Sequence, residues 1–326
     1  MNLDQIKTFI ESHDNFLIAG HINADGDAIS SSLAISHLLK SLGKTYQLIF
    51  HDIHLDQKFR FLEGFDSILC SQNEGVSYKA GAAIICDTPS TERMGTVATL
   101  LPEKAHVLKL DHHPSEEDFG IINWVDTESS STTCLVYQII DHFNIDINIS
   151  LAQTILTGLM YDTGRFSYSN TKAIDFEIAA RMVHLGADVE KSYKNIFCEN
   201  SLSATKTIGK GLGEMETFFN HQVGIIHLTH EETIKNPSGE IEELASYTTS
   251  VIGSHVGLFI REPEKGLFKV SLRSRGKVNV NEVAGHFGGG GHKKASGCRI
   301  RSKSYADVKS QVLDVVKTHL KTHGYI

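Results

Sequence analysis

Residues 16–31 read "FLIAGHINADGDAISS". A short aliphatic run, 16–20, delivers His21, Asp25 and Asp27 within seven positions, and a helical pattern starts at once. Ile35, Leu38, Leu39 and Leu42 recur at i, i+3, i+4 and i+7, which predicts one face of a helix over 28–42. "YQLIF" (46–50) then supplies a second short apolar run. Strand, helix and strand in that order make the βαβ unit of a parallel sheet.

Further along, "AAIIC" (82–86) and "HVLKL" (106–110) read as buried strands, being short, aliphatic and bounded by polar residues. From about 130 to 185 the pattern turns helical, through "TTCLVYQIIDHF", "LAQTILTGLMYD" and "AIDFEIAARMVHLG". The predicted fold class is α/β, a parallel sheet with helices on both faces, over residues 1–188. Residues 189–203, "VEKSYKNIFCENSLS", lack a long apolar period and are expected to be a linker. A smaller α/β domain, 204–326, follows from "VGIIHLT" (223–229), "HVGLFIRE" (255–262), "LFKVSLRS" (267–274) and a last helix near 304–321. In 267–274, Phe268, Val270 and Leu272 alternate with Lys269, Ser271 and Arg273, the period of a half-buried strand.

Composition agrees with two domains. At 326 residues the chain exceeds the usual size of one core. Hydrophobic residues at 40% and charged ones at 21% describe an ordinary globular protein. No apolar stretch approaches the roughly 18–20 residues of a membrane span. The start, "MNLDQIKTFIESHDN", is amphipathic and acidic, unlike a signal peptide. Five widely spaced cysteines without a CxxC pair read as reduced, so a cytoplasmic location is expected. The net charge is −8, yet residues 269–301 hold eight Lys or Arg against one acid, a local +7 that leaves −15 elsewhere. That pattern suits a focused anion site better than a broad DNA-binding surface.

Polar groups gather where the apolar runs stop. "FLIAG" runs into His21, Asp25 and Asp27; "AAIIC" into Asp87; "HVLKL" into Asp111, His112 and His113; and the helical "ILTGLMY" into Asp162. In an open α/β sheet, ligands bind at the carboxyl ends of the strands. Each feature alone has a plainer reading: Asp27 as the cap of helix 28–42, Asp87 or Asp162 as a turn residue. Together, His21, Asp25, Asp27, Asp87, His112 and Asp162 put four carboxylates and two imidazoles at one edge, and so many like charges require cations. Mostly oxygen donors with some nitrogen suit Mn²⁺, Fe²⁺ or Co²⁺. Six ligands exceed one ion's need when positions stay open, so two ions about 3.5–4 Å apart are expected.

"GHINADGDAISS", "ICDTPS", "LDHHP" and "YDTGRF", in that order, resemble the four motifs of the DHH phosphoesterase family. "FGGGGHKKASG" (287–297) resembles the signature of the DHHA1 substrate-binding domain. Within the family, size and domain content are most similar to the bacterial nanoRNase/pAp phosphatase group. The resemblance implies a parallel α/β domain with two Mn²⁺ (Mg²⁺ or Co²⁺ as substitutes), a linker and a smaller substrate-binding domain. It implies His21 and Asp25 on one ion, Asp27, His112 and Asp162 on the other, and Asp87 bridging. Asp111 would orient the motif and His113 would face a substrate phosphate. Three positions depart from the usual pattern: Ala24 and Lys293 replace a frequent proline, and Ser30 a frequent glycine.

The glycine run has its own physics. Without Cβ atoms, Gly288, Gly289, Gly290 and Gly291 can aim successive N–H groups at a phosphate. His292 and Lys293 follow, and Arg273 and Arg275 lie just upstream, Arg being able to fork a phosphate. These residues are the expected substrate contacts. No Ser/His/Asp or Cys/His nucleophile is evident, and "GHFGGGG" is no P-loop. The resemblance implies hydrolysis of RNA of two to about five nucleotides and removal of the 3′-phosphate of pAp. Turnover of linear or cyclic dinucleotides, or a non-catalytic nucleotide or RNA sensor, are the alternatives. Short RNA and nucleotides are the expected partners, with no long duplex DNA and no membrane; a homodimer is compatible with the pattern.

Overall fold

The computed structural model describes residues 2–115, 117–236 and 240–326. The chain separates into two compact units, one running to Glu199 and the other starting at Asn200. In the first, β1 (Phe16–Ala19), β2 (Tyr46–Phe50), β3 (Leu69–Cys70), β4 (Ala82–Cys86), β5 (Val107–Asp111) and β6 (Ile122–Val125) form one sheet in the order β3-β2-β1-β4-β5-β6. All its pairs are parallel. The chain leaves β1 towards β2 and β3, then returns to pair β4 on β1's other side. That reversal opens a crevice at the carboxyl ends of β1 and β4.

Side chains alternate across the sheet. Phe16, Ile18, Ile84, Cys86, Leu108 and Leu110 pack on one face against α1 (Leu3–Ser12), α2 (Gly26–Ser41), α3 (Thr132–Phe143) and α4 (Ile149–Asp162). Leu17, Ala83, Ile85 and Val107 pack on the other, against Met94 and Val97 of the 3₁₀-helical stretch Thr91–Leu100. Both faces are therefore covered by helical segments, as the buried strands require. Asp25, not Asp27, caps α2, accepting from the N–H groups of Asp27 and Ala28. Strands β3 and β6 carry no period in the sequence because one has two residues and the other is mostly half-buried. After α5 (Ala173–His184), residues 189–198 are helical, as α6 (Val189–Tyr193) and a wide turn, Lys194–Cys198, that buries Ile196.

The second unit is also sheet-based. β7 (Glu216–Phe218), β8 (Val223–Leu228), β9 (Val256–Glu264), β10 (Leu267–Ser274), β11 (Gly290–Gly291) and β12 (Ala295–Arg301) take the order β11-β12-β10-β9-β8-β7. Its helices are α7 (Leu202–Gly213), α8 (His230–Ile234), α9 (Leu244–Tyr247), α10 (Val280–Gly285) and α11 (Tyr305–Thr322). Val308, Val312, Val316 and Leu320, spaced by four along α11, pack on Phe268, Val270 and Leu272. Leu244 and Ala245 of α9 cover Ile226, Leu228 and Phe259 on the opposite face. Among the described residues, no helix is long and apolar enough to cross a membrane.

Candidate metal centre

The crevice is lined from several elements. His21 follows β1 and is buried; its Nδ1 lies 2.9 Å from the carbonyl of Ile22. A carbonyl can only accept, so a neutral His21 keeps its proton on Nδ1 and presents the Nε2 lone pair. Nε2 stands 3.8 Å from Asp25 Oδ1 and 3.4 Å from Asp87 Oδ2. The loop between His21 and Asp25 is pinned from β2: Asp52 accepts from the amides of Asn23 at 2.7 Å and Ala24 at 3.1 Å.

Asp87 occupies the left-handed region at φ 56°, which Asp tolerates better than most residues, and its N–H donates to Leu110. The two carboxylate oxygens face different partners. Oδ2 faces His21, whereas Oδ1 lies 3.5 Å from His112 Nε2 and 3.4 Å from His113 Nδ1. His112 Nε2 is also 3.8 Å from Asp27 Oδ2 and 3.6 Å from Asp162 Oδ2, at the C-terminus of α4. His112 Nδ1 faces the carbonyl of Ser129, while Asp111 Oδ1 accepts from the His113 amide and contacts its Nδ1 at 2.9 Å. Asp111 thus orients His113, and Ser129 orients His112.

Most nitrogen–oxygen separations around Asp87 exceed the 2.7–3.2 Å of a good hydrogen bond. Such spacings leave room for a cation between the facing atoms. The ligand atoms of His21, Asp25 and Asp87, of Asp27, Asp87 and His112, and of Asp87, Asp111 and His113 lie within 4.8 Å of one another in each group. Asp87 belongs to all three.

Charge explains why such a cluster needs a cation. Burial and the neighbouring carboxylates, Asp87 foremost, push Asp27 well above the usual range. Asp162 rises for the same reasons, with Asp27 its strongest neighbour. Burial also raises Asp87, but His113, His21 and His112 outweigh it and hold this carboxyl well below the usual value. Burial disfavours the charge on His21, and Asp25 and Asp87 reverse that effect, raising it to about 10. Burial and mutual repulsion thus disfavour bare carboxylates at Asp27 and Asp162, and a dication is a group that would offset that repulsion. The donor set fits: carboxylate oxygens with imidazole nitrogens, and no thiolate among the lining residues.

Two supports escape a reading of the sequence. Asp27 accepts at Oδ2 from the Thr132 amide at 2.7 Å, and at Oδ1 from the Thr133 amide and hydroxyl at 2.9 and 2.6 Å. The Thr132 hydroxyl donates to Asp87 Oδ1 at 3.0 Å. The signal was the run "SSSTT" (129–133), which reads simply as material for the N-terminus of α3.

In the second unit, Arg273 pairs across the ladder with Ala295, and the Ser274 amide donates to Lys294, so β10 ends beside the His292–Ala295 turn. Arg273, Arg275, Gly289, Gly290, Gly291, His292 and Lys293 are thereby gathered at one end of this sheet. The glycines, however, do not form an open row of donors. The N–H groups of Gly288 and Gly289 donate to Gly285 and Ala284 and close α10, while Gly290 and Gly291 pair with β12. A Cβ on Gly289 would lie 2.2 Å from the carbonyl of Gly297, so close backbone approach requires glycine here.

Residues 15–161 match the DHH family, N-terminal domain, and residues 226–322 match the DHHA1 domain. The chain belongs to this phosphoesterase family and is a metal-dependent hydrolase that acts on nucleotides. It is 29% identical over 309 residues to the bifunctional oligoribonuclease and PAP phosphatase NrnA of Thermus thermophilus, covering 95% of this chain and 91% of that protein. To the Bacillus subtilis protein of the same name it is 27% identical over 329 residues, covering 99% and 100%. An exopolyphosphatase-related protein from Bacteroides fragilis has a similar solved structure, with a TM-score of 0.86 at 27% identity over 98% of this chain and 96% of that one.

Proposed function

We propose that the chain hydrolyses RNA of two to about five nucleotides to mononucleotides and removes the 3′-phosphate of pAp, using two Mn²⁺. The observation that carries this reading is the division of Asp87, whose oxygens face His21 on one side and His112 on the other. His21 and Asp25 would hold one ion, Asp27, His112 and Asp162 the other, and Asp87 would be shared by both. Bound there, the ions supply a water of lowered pKa and offset charge at phosphorus. His113, oriented by Asp111, donates to a phosphate oxygen as negative charge develops on it.

Residues 1–188 form the catalytic domain, 189–203 the linker and 204–326 the substrate domain. Arg273, Arg275, His292 and Lys293 take the phosphates of a short substrate. Phe287, with Phe268 just ahead of the basic segment, gives too few aromatics to stack a long single strand. The substrate class is supported by the names of the Thermus and Bacillus relatives. The chain works in the cytoplasm, where mononucleotides re-enter metabolism, and a homodimer is compatible with it.

The test is a Mn²⁺ panel with a linear dinucleotide, a five-mer and a twenty-mer RNA, pAp, cyclic di-AMP and pyrophosphate. Fastest turnover of the dinucleotide, the five-mer and pAp is expected. Preference for the twenty-mer or pyrophosphate overturns the reading. Asp87→Asn keeps a side chain that accepts the left-handed backbone and removes the charge, so activity should fall about 100-fold or more.

A further inference from the structure

Lys109 lies in the middle of β5, two residues before Asp111, and its side chain is fully buried. An ammonium moved from water into such surroundings is costly unless all its protons find acceptors. They do. Nζ donates to the Pro89 carbonyl at 2.8 Å, the Glu117 carbonyl at 3.0 Å and Ser115 Oγ at 3.1 Å. These acceptors belong to two different loops. Pro89 lies two residues beyond Asp87, at the exit of β4, and Ser115 lies two beyond His113, at the exit of β5. Asp111 Oδ2, buried and without a hydrogen-bond partner among the described residues, faces the same ammonium at 3.7 Å.

We infer that Lys109 is a positioning residue that ties the loop carrying Asp87 to the loop carrying His112 and His113 and so sets their spacing. A side chain needed only for packing on this face would be apolar, like its neighbours Val107 and Phe119. One ammonium with three donors can join three backbone and side-chain acceptors, which no apolar residue does. Lys109 acts this way only if His21, Asp25, Asp27, Asp87, His112 and Asp162 hold dications as proposed above.

Mn²⁺ binding to the full chain, followed by titration calorimetry, tests it on the wild type, Lys109→Met and Ser115→Ala. Methionine has similar length and suits apolar surroundings, and replacing a buried charge in this way often leaves stability unchanged or higher. The expected result is Mn²⁺ binding weakened about tenfold or more in Lys109→Met, with KM for pAp at saturating Mn²⁺ within about twofold of wild type. Ser115→Ala, at an exposed position, should shift binding in the same direction by less. Should Lys109→Met fail to fold, Ser115→Ala decides. Wild-type Mn²⁺ affinity in the folded variants overturns the role of Lys109. Absence of Mn²⁺ binding in the wild type overturns the proposed metal centre instead, and the role with it.

Discussion

Thr133 places its amide and its hydroxyl on the same oxygen of Asp27, at 2.9 and 2.6 Å. The amide belongs to the first turn of a 12-residue helix, so the positive end of α3 meets a carboxylate crowded by others. Ordinary helix capping uses a side chain just before the helix. Here Ser131 fills that place, and the acid comes from a residue 106 positions away. The helix thereby offsets part of the repulsion that burial imposes on Asp27 and Asp87.

Thr133→Val removes the hydroxyl and keeps the amide. Losing a hydrogen bond to a charged group costs about 1.5–3 kcal/mol. Mn²⁺ binding should weaken about tenfold, the scale typical of partners that hold a ligand. Calorimetric titration of Mn²⁺ reads this directly, and wild-type affinity in a folded variant would show that the helix end does not support the site.

Gly158 of α4 tests the same contact from behind. A Cβ added there would lie 2.2 Å from Thr133 Oγ1 and 2.8 Å from Ser30 Cβ. In a helix interior Gly→Ala normally stabilises by about 0.5–1 kcal/mol. At this site overpacking should reverse the sign, destabilising by about 1–3 kcal/mol and displacing Thr133 from Asp27. Urea unfolding gives the sign; a stabilised Gly158→Ala would mean the helices can part without cost.

Asp52 should control one ion and not the other. It holds only the loop between His21 and Asp25, and no hydrogen bond from it reaches Asp27, His112 or Asp162 among the described contacts. Asp52→Ala frees that loop while the Thr132–Thr133 support stays in place. Titration should then change from two tight Mn²⁺ sites to one, the second weakened about 10-fold or more. Equal weakening of both sites would place Asp52 in general stability instead.

Much of the centre was legible because each candidate ligand ends an apolar run, and the parallel sheet carries those ends to one edge. His21, Asp87, His112 and Asp162 needed only the strand and helix ends to be placed. Their supports did not announce themselves. Asp52 and Thr133 act on residues 28 to 106 positions away, and single-chain periodicity holds no record of such pairs. Lys109 is hidden inside "HVLKL", where one cation does not disturb an aliphatic run. The glycine run was expected to aim its N–H groups at a phosphate, but those of Gly288 and Gly289 close α10, and Gly290 and Gly291 pair with β12. Sequence spacing cannot tell those two uses of glycine apart.

Glu242 predicts how the second unit responds to acid. Arg261 donates to it, and Lys269 Nζ lies 3.1 Å from its Oε1. Burial alone would raise this carboxyl; Lys269 and Arg261 outweigh it and lower it to about 2. A depressed carboxyl stabilises the fold fully above its unfolded value, near 4.5, and that contribution disappears as pH falls towards about 2. The side chain is 33% exposed, so solvent screening reduces the contribution to about 1–2 kcal/mol. Glu242→Gln should therefore unfold more easily than wild type at pH 6, with the difference closing between pH 4.5 and 2.5. Guanidinium unfolding of both proteins at several pH values measures the gap. A gap of constant size would mean that Glu242 acts through packing and hydrogen bonding, and that its charge contributes nothing to the pairing with Arg261 and Lys269.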